Sequence, residues 1–338
     1  MEAVGGPQTA STVRDMRWIR VEDISAVASC RSAAAGMAGK LGFSAARADQ
    51  LALAVTEAAS NLHKHARDGS LLLRISNGAA VPGIELITID SGPGLRDVRA
   101  AMRDGHSTVG TLGIGLGAIR RLADSCDLYS VPGHGTALVA RFWPAPARPT
   151  CDFAGLIRPI ASEVESGDAF AAVRAGQTVT GVLCDGLGHG PLAAAAASKA
   201  IAAILEDPGQ EPAALITRAH ARLARTRGGA IGIVQVTGRT AWFAGLGNVA
   251  AWILAGGVRA GMLSVPGIAG HQARTIRQFE YPVPENAAIV LHSDGLSSRW
   301  DISALPGLER NDPLVIAAAL LAEAGIHRDD ASILVLKP

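Results

Sequence analysis

Apolar residues recur at helical spacing over 24–41 and again over 45–66, where Leu51, Val55 and Leu62 share a face and Ser44 stands in the N-cap position. A short strand over 17–21 precedes the first helix. Alternating stretches at 71–76 and 84–90 read as strands. A Gly-rich run, 110–117, leads into a further helix ending near 123. Strands over 127–131 and 136–142 follow, joined by Pro132-Gly133-His134-Gly135. This order suits helices packed on one face of a mixed or antiparallel sheet. A Pro/Ala stretch at 144–149 then reads as a short, semi-rigid linker. Beyond it come strands at 154–160, 169–175 and 177–184, and helices over 191–206 and 212–225. Strand-like runs follow at 230–237, 241–246, 250–254, 274–281 and 287–292, then a helix over 313–323 and a strand over 332–336. The whole reads as α+β without internal repeat. Residues 1–14, small and polar, are expected to be a disordered leader.

Composition narrows the class. A chain of 338 residues is long for one core, so two domains are the natural expectation. A net charge of +1 gives no broad electrostatic footprint for nucleic acid. Lys199 and Glu206-Asp207 interrupt the longest apolar stretch, which excludes a membrane span there, and residues 1–15 lack the pattern of a secretory signal. The four cysteines, Cys30, Cys126, Cys151 and Cys184, have no Cys-x-x-Cys spacing and are expected as reduced thiols in a cytoplasmic protein.

Three separated segments of the front half carry compatible chemistry. Glu57 and Asn61 lie at i, i+4 on one helix face, where the Asn amide oxygen can hold Mg²⁺ and the Glu can orient or deprotonate a nucleophile. Asp90-Ser91-Gly92-Pro93-Gly94 ends a strand with a carboxylate able to accept the exocyclic amine of adenine. Gly113-Ile114-Gly115-Leu116-Gly117 opens a helix whose amides can cradle phosphates. Each is weak alone, and the Gly run lacks the strand context of a dinucleotide fingerprint. Together, and in this order, they resemble the N, G1 and G2 boxes of the GHKL (Bergerat-type) ATP-binding fold, with Gly135-Thr136 similar to that family's late Gly-Thr. The likeness spans about residues 15–143 and is nearest the RsbT/RsbW-like anti-sigma-factor serine kinases. It implies an ATP- and Mg²⁺-binding α/β sandwich with Asn61 as Mg²⁺ ligand and Glu57 as catalytic carboxylate. Asp90 and Thr136 would then hold the base, and Gly92, Gly94, Gly113, Gly115 and Gly117 would form the lid and phosphate loop. His63 and His65 flank the helix motif and read equally well as surface residues.

The rear half carries Asp185-Gly186-Leu187-Gly188-His189-Gly190, a second Asp-Gly at Asp294-Gly295 and the pair Asp329-Asp330. Asp-Gly pairs are ordinary turn residues, but several carboxylates on Gly-bordered strand ends also suit a two-metal hydrolytic centre, because hard divalent cations prefer oxygen ligands. With Ser166-Gly167-Asp168, Thr226–Gly232, Ala244–Asn248 and Pro266–Gly270, the set resembles the SpoIIE/RsbX branch of the PPM metal-dependent serine/threonine phosphatases over about 153–338. The resemblance implies an α-β-β-α sandwich holding two Mn²⁺ or Mg²⁺ ions. Asp185 would bridge them, the Gly186 carbonyl would serve one, Asp294 and Asp329 the other, and Asp168 would bind directly or through water. Asp330 remains an alternative to Asp329. His189 reads either as a general acid or as a cap of the following helix.

The function these readings imply is a bifunctional partner-switching regulator: an ATP-dependent serine/threonine kinase domain (15–143), a linker (144–152) and a phosphoserine phosphatase domain (153–338). Its partners would be a STAS-domain antagonist protein and a sigma factor or stressosome-like complex, with neither nucleic acid nor membrane. The alternative keeps the phosphatase and makes the front half a non-catalytic nucleotide-sensing, protein-binding module.

Overall fold

The computed structural model describes residues 8–10, 14–76, 82–102, 115–145 and 152–338. The chain divides into two compact units, Val13–Thr150 with Ala318–Glu323, and Met1–Thr12 with Cys151–Ala317 and Ala324–Pro338.

Strand β1 (Gln8–Ala10) belongs with the rear sheet. In the front unit, β2 (Arg14–Arg20), α1 (Ser25–Lys40), α2 (Ala45–His65), β3 (Ser70–Ser76), β4 (Gly83–Asp90), α3 (Val98–Ala101), α4 (Gly115–Leu122), β5 (Ser125–Ser130) and β6 (Thr136–Phe142) follow in order. The strands form one antiparallel sheet ordered β2-β3-β4-β6-β5. Ser44 caps α2, its side chain accepting from the Arg47 amide at 3.3 Å. Leu51, Val55, Leu62, Leu71, Leu86, Ile119, Leu138 and Phe142 fill the core between helices and sheet. Arg47 ties α2 to the end of α4, donating to the Leu122 carbonyl at 2.8 Å and pairing with Asp124. On the opposite sheet face, Arg74, Glu85 and Arg141 sit side by side on β3, β4 and β6. Both guanidinium groups donate to Glu85, at 2.6 and 2.9 Å, and all three side chains are buried. Burial alone would raise the Glu85 pKa; the two arginines outweigh it and hold it below its ordinary value.

The remaining elements are β7 (Phe153–Arg158), β8 (Asp168–Ala175), β9 (Thr178–Gly186), α5 (Pro191–Leu205), α6 (Pro212–Arg222), β10 (Gly229–Thr237), β11 (Thr240–Leu246), β12 (Ala250–Ala255), β13 (Val258–Met262), β14 (Ser264–Val265), β15 (Gln278–Pro282), β16 (Ala288–His292), α7 (Pro313–Ala324) and β17 (Ala331–Leu336); all lie in the rear unit except Ala318–Glu323 of α7, which group with the front one. One sheet runs β1-β8-β9-β10-β11-β14 with β15 also on β11; the other runs β13-β12-β16-β17-β7. The two pack through β17 and β7 against β8 and β9. Alanines of α5 and the apolar face of α6 cover the first sheet; Ala197, Ala200, Ile204, Leu215 and Ile216 are fully buried. Helix α7 starts where Asp312 accepts from the Leu314 amide, and it is buried nearly all round.

Three differences from the sequence reading have local causes. Gln8–Ala10, expected without structure, pairs with Ala172–Arg174, because the outer edge of β8 offers unpaired backbone groups to any short extended segment. Strand β13 lies outside the strands expected from sequence; Gly256-Gly257, both at positive φ, supplies the hairpin turn between β12 and β13. The run at 274–281 becomes a strand only from Gln278, where pairing with β11 begins. Cys30, Cys126 and Cys184 are free thiols; burial pushes Cys30 up to about 11 and Cys126 up to about 12, while Cys151 lies outside the described residues. Among the described residues no helix is long and apolar enough to cross a membrane.

Candidate active sites

In the front unit, Glu57 and Asn61 stand half-buried on α2, one turn apart, and their helix packs against α4. The end of α2 abuts the loop after β4: Ser91 N donates to Arg67 O at 2.8 Å, and a Cβ at Gly92 would lie 3.0 Å from the His65 carbonyl oxygen. Asp90 accepts from Gly92 N at 2.7 Å and lies directly opposite Thr136 in the sheet. Burial raises the Asp90 pKa, against the lowering effect of the Gly92 and Thr136 amides. Thr136 Oγ1 lies 2.9 Å from Ser130 Oγ, which also accepts from Leu95 N. The glycines here are demanded by contact. At Gly94, φ is +68° and a Cβ would come 2.1 Å from the Val131 carbonyl oxygen; at Gly135, φ is +78° and the Asp90 carbonyl would be 1.8 Å away. Gly115 and Gly117 lie in the first turn of α4. Gly113 lies outside the described residues. Sheet register and the α2–β4 junction thus gather Asp90, Thr136 and the end of the Glu57/Asn61 helix into one neighbourhood. His63 and His65 are exposed.

In the rear unit the carboxylates meet at one end of the sandwich. The register of β8 and β9 sets Asp168 directly across from Asp185, and Ala230 flanks Asp185 on its other side. Asp294 follows β16 and Asp329 precedes β17; these strands are antiparallel neighbours, so the exit of one meets the entrance of the other. Ser293 N donating to Ser332 O at 3.1 Å and Ser332 N donating to Ser293 Oγ at 3.0 Å close that junction. Gly295 permits the approach, since a Cβ there would lie 1.9 Å from the Asp330 carbonyl oxygen. Asp185, Asp294 and Asp329 line one cavity of about 340 Å³, with Leu187, Gly188 and Asn248 among its other walls.

Like charges on neighbouring strands should disfavour ionisation, and they do. Burial first, then Asp168, Asp294, Asp329 and Asp330, push Asp185 up to about 9. Asp168 is pushed up to about 7, by burial first, with the Asp330 and Asp294 charges adding to the rise. Asp168 Oδ2 is buried without a hydrogen-bond partner. Among the described residues no arginine or lysine pairs with Asp185, Asp294 or Asp329. An all-oxygen set, an orphaned buried carboxylate oxygen and unrelieved repulsion fit hard divalent cations. Among the described residues no three acidic, His or Cys side chains close around a single point.

The remaining candidates separate. Asp330 is buried; its two oxygens accept from Ile160 N at 2.8 Å and Gly167 N at 2.7 Å, and it does not line the cavity. Gly186 ends β9, its amide donating to Gly167 O at 3.1 Å; a Cβ there would meet the Ala193 carbonyl oxygen at 2.5 Å. His189 Nδ1 lies 2.9 Å from Glu163 Oε1, and the N-cap of α5 is Gly190, not His189. Asn248, at the end of the 244–248 segment, donates through Nδ2 to Asp294 Oδ2 at 2.6 Å. Its signal was its place after Gly247, where a strand ends at positive φ. Glu163 carried no sequence signal.

Residues 21–142 match the family described as Histidine kinase-like ATPase domain, and residues 175–338 match Stage II sporulation protein E (SpoIIE). The serine/threonine-protein kinase RsbT of Bacillus subtilis (strain 168) is 32% identical over 131 residues, 39% of this chain and 98% of that one. A chain from a structure of the bacterial stressosome is 26% identical, with TM-score 0.49, over 54% of this chain and 97% of that one. RsbX in complex with magnesium is 17% identical, also at TM-score 0.49, over 54% and 92%.

Proposed function

Because the chain belongs to the RsbT serine/threonine kinase family in its front domain and carries a SpoIIE-type PPM serine phosphatase domain behind it, we propose that it is a two-headed partner-switching regulator. The front head transfers the ATP γ-phosphate to a Ser or Thr of a STAS-domain antagonist protein, and the rear head hydrolyses the resulting phosphoester. The protein works in the cytoplasm, in a circuit that ends at a sigma factor or a stressosome-like complex. Joining the heads raises the effective concentration of each for a shared target.

The observation that carries this reading is the cavity walled by Asp185, Asp294 and Asp329. Asp185, Asp294, Asp329 and Asp168 would hold Mn²⁺ or Mg²⁺. When bound, such ions supply a water-derived nucleophile at neutral pH and offset phosphoryl charge. The chain's own residues do the positioning. Asn248 fixes Asp294, the Ser293–Ser332 junction fixes the strand ends, and Asp330 braces the Gly167 turn beneath Asp168. Glu163 holds His189 by Nδ1, leaving Nε2 for a proton to the departing seryl oxygen. In the front head, Asp90 accepts the adenine amine with Thr136 beside it, and the Gly115 and Gly117 amides meet phosphate. Asn61 would hold Mg²⁺, and Glu57 would orient the incoming hydroxyl.

The test uses the full chain. Mn²⁺-dependent hydrolysis of a phosphoserine peptide is expected in the wild type and absent in Asp185→Asn. Labelled phosphate should pass from ATP to a STAS protein, and Glu57→Ala should stop it while ATP binding persists. Retained ATP binding without any transfer by the wild type would instead make the front head a nucleotide sensor.

A further inference from the structure

We propose that Arg227 takes the substrate phosphate at the rear site. The proposal rests on the phosphatase reading above and adds to it the residue that selects a phosphate monoester.

The turn Thr226-Arg227-Gly228 feeds β10, and its backbone is fixed from several sides. Thr226 Oγ1 donates to Leu223 O at 2.7 Å and accepts from Gly228 N at 3.0 Å. His271 Nε2 lies 3.2 Å from Thr226 O and 3.0 Å from Arg227 O. Leu187 N, in the cavity wall, donates to Gly228 O at 3.0 Å. An arginine on such a turn has a fixed root and a free head. The head is exposed and lies against the neighbouring wall residue: a Cβ built on Gly188 would stand 2.9 Å from an Arg227 guanidinium nitrogen. Gly188 has φ +85°, so the chain there both adopts a left-handed conformation and leaves room for the guanidinium.

Among the described residues Arg227 has no carboxylate partner, although acidic groups line the cavity it borders. Arg222, a few residues earlier, is paired with Glu206 at 2.8 Å. A cavity walled by Asp185, Asp294 and Asp329 repels a phosphate dianion unless cations offset that wall. A guanidinium at the rim offers two parallel N–H donors to two phosphate oxygens, a geometry an ammonium does not match. Its unpaired state costs little in water, so it is available when the dianion arrives. The competing role for the same cation is to soften repulsion among the carboxylates, and the two roles have opposite signatures.

Arg227→Gln and Arg227→Lys in the full chain with Mn²⁺ separate them. Three quantities are measured: kinetics on a phosphoserine peptide, the inhibition constant of inorganic phosphate, and Mn²⁺ affinity from the free-ion magnetic resonance signal. Loss of a charge-assisted pair predicts that Arg227→Gln raises KM and weakens phosphate inhibition by the same factor, about ten- to a hundredfold. Mn²⁺ affinity should stay unchanged and kcat should fall less than KM rises, with Arg227→Lys in between. Unchanged KM and phosphate inhibition would overturn the proposal, as would tighter Mn²⁺ binding with KM untouched, the mark of charge relief. A wild type that hydrolyses no phosphoserine peptide would sink the phosphatase reading and this proposal with it; an active wild type matched by Arg227→Gln sinks this proposal alone.

Discussion

The front site satisfies the half-buried Asp90 from within, whereas the rear site gathers several acids and leaves them in conflict. Asp90 receives the Gly92 amide and sits beside Thr136; Asp185 faces Asp168 across a strand pair with Asp294 and Asp329 nearby. The first arrangement is built from backbone conformation, with glycines where a Cβ would strike a carbonyl. The second is built from charge, and its cost in the metal-free chain is the reason to expect cations there. Even within the rear cluster the division recurs, because Asp330 accepts from two distant amides, whereas Asp329 accepts from the adjacent Asp330 amide and lines the cavity.

That last contrast gives the sharpest test. Asp329→Asn should cut phosphoserine hydrolysis at least about 10³-fold, roughly 4 kcal/mol, with thermal stability held or raised. Asp330→Asn should act the other way round, lowering stability by about 2–4 kcal/mol through its two charge-assisted bonds, as read by denaturant unfolding. Equal behaviour of the two variants would break the distinction between cavity wall and brace.

Between the domains, the contrast is tested at Glu85. Glu85→Gln removes the buried charge to which both Arg74 and Arg141 donate and should destabilise the front unit by roughly 3–5 kcal/mol, while phosphatase activity survives. Front-unit unfolding is followed by ATP-binding loss on heating.

Acidity should divide the two units further in chelated, metal-free protein. The folded pKa of Asp185 is raised from 3.8 to about 9 and that of Asp168 to about 7, so their contribution is fully present below pH 3.8 and is lost as pH rises toward 9. Glu85 is held below 4.5, so its contribution is present above that value and is lost as pH falls through the lower folded pKa. Urea unfolding across this range, with and without Mn²⁺, should find the alkaline loss removed by the ion; a slope unaffected by Mn²⁺ would contradict the cluster's assignment.

The smallest expected effect is at Asn248. Asn248→Ala frees Asp294 to rotate and should lower activity about tenfold, mainly through weaker Mn²⁺ binding, seen as a shifted metal-activation curve.

Much of this was legible from residue order. Hydrophobic period and Ser44 located α2, and the burial it predicts for Leu51, Val55 and Leu62 is observed. Strand β13 and the edge strand β1 were missed, since short strands depend on a neighbour to pair with more than on their own pattern. Glu163 was invisible because its meaning lies in touching His189, 26 residues away.

Residue order alone established which chemistries were available: a helix face carrying Glu57 and Asn61, glycine turns, and acids at strand ends. These are properties of residue type and spacing, which local periodicity preserves. Packing of the strands settled which acid faces the cavity and which is held by two distant backbone amides. Asp329 and Asp330 differ by one position, and the direction of a side chain at the start of a strand is set by the neighbours that its partner strands bring up. It likewise decided that Arg227 borders Gly188, a contact made across sheet neighbours that no reading along the chain contains.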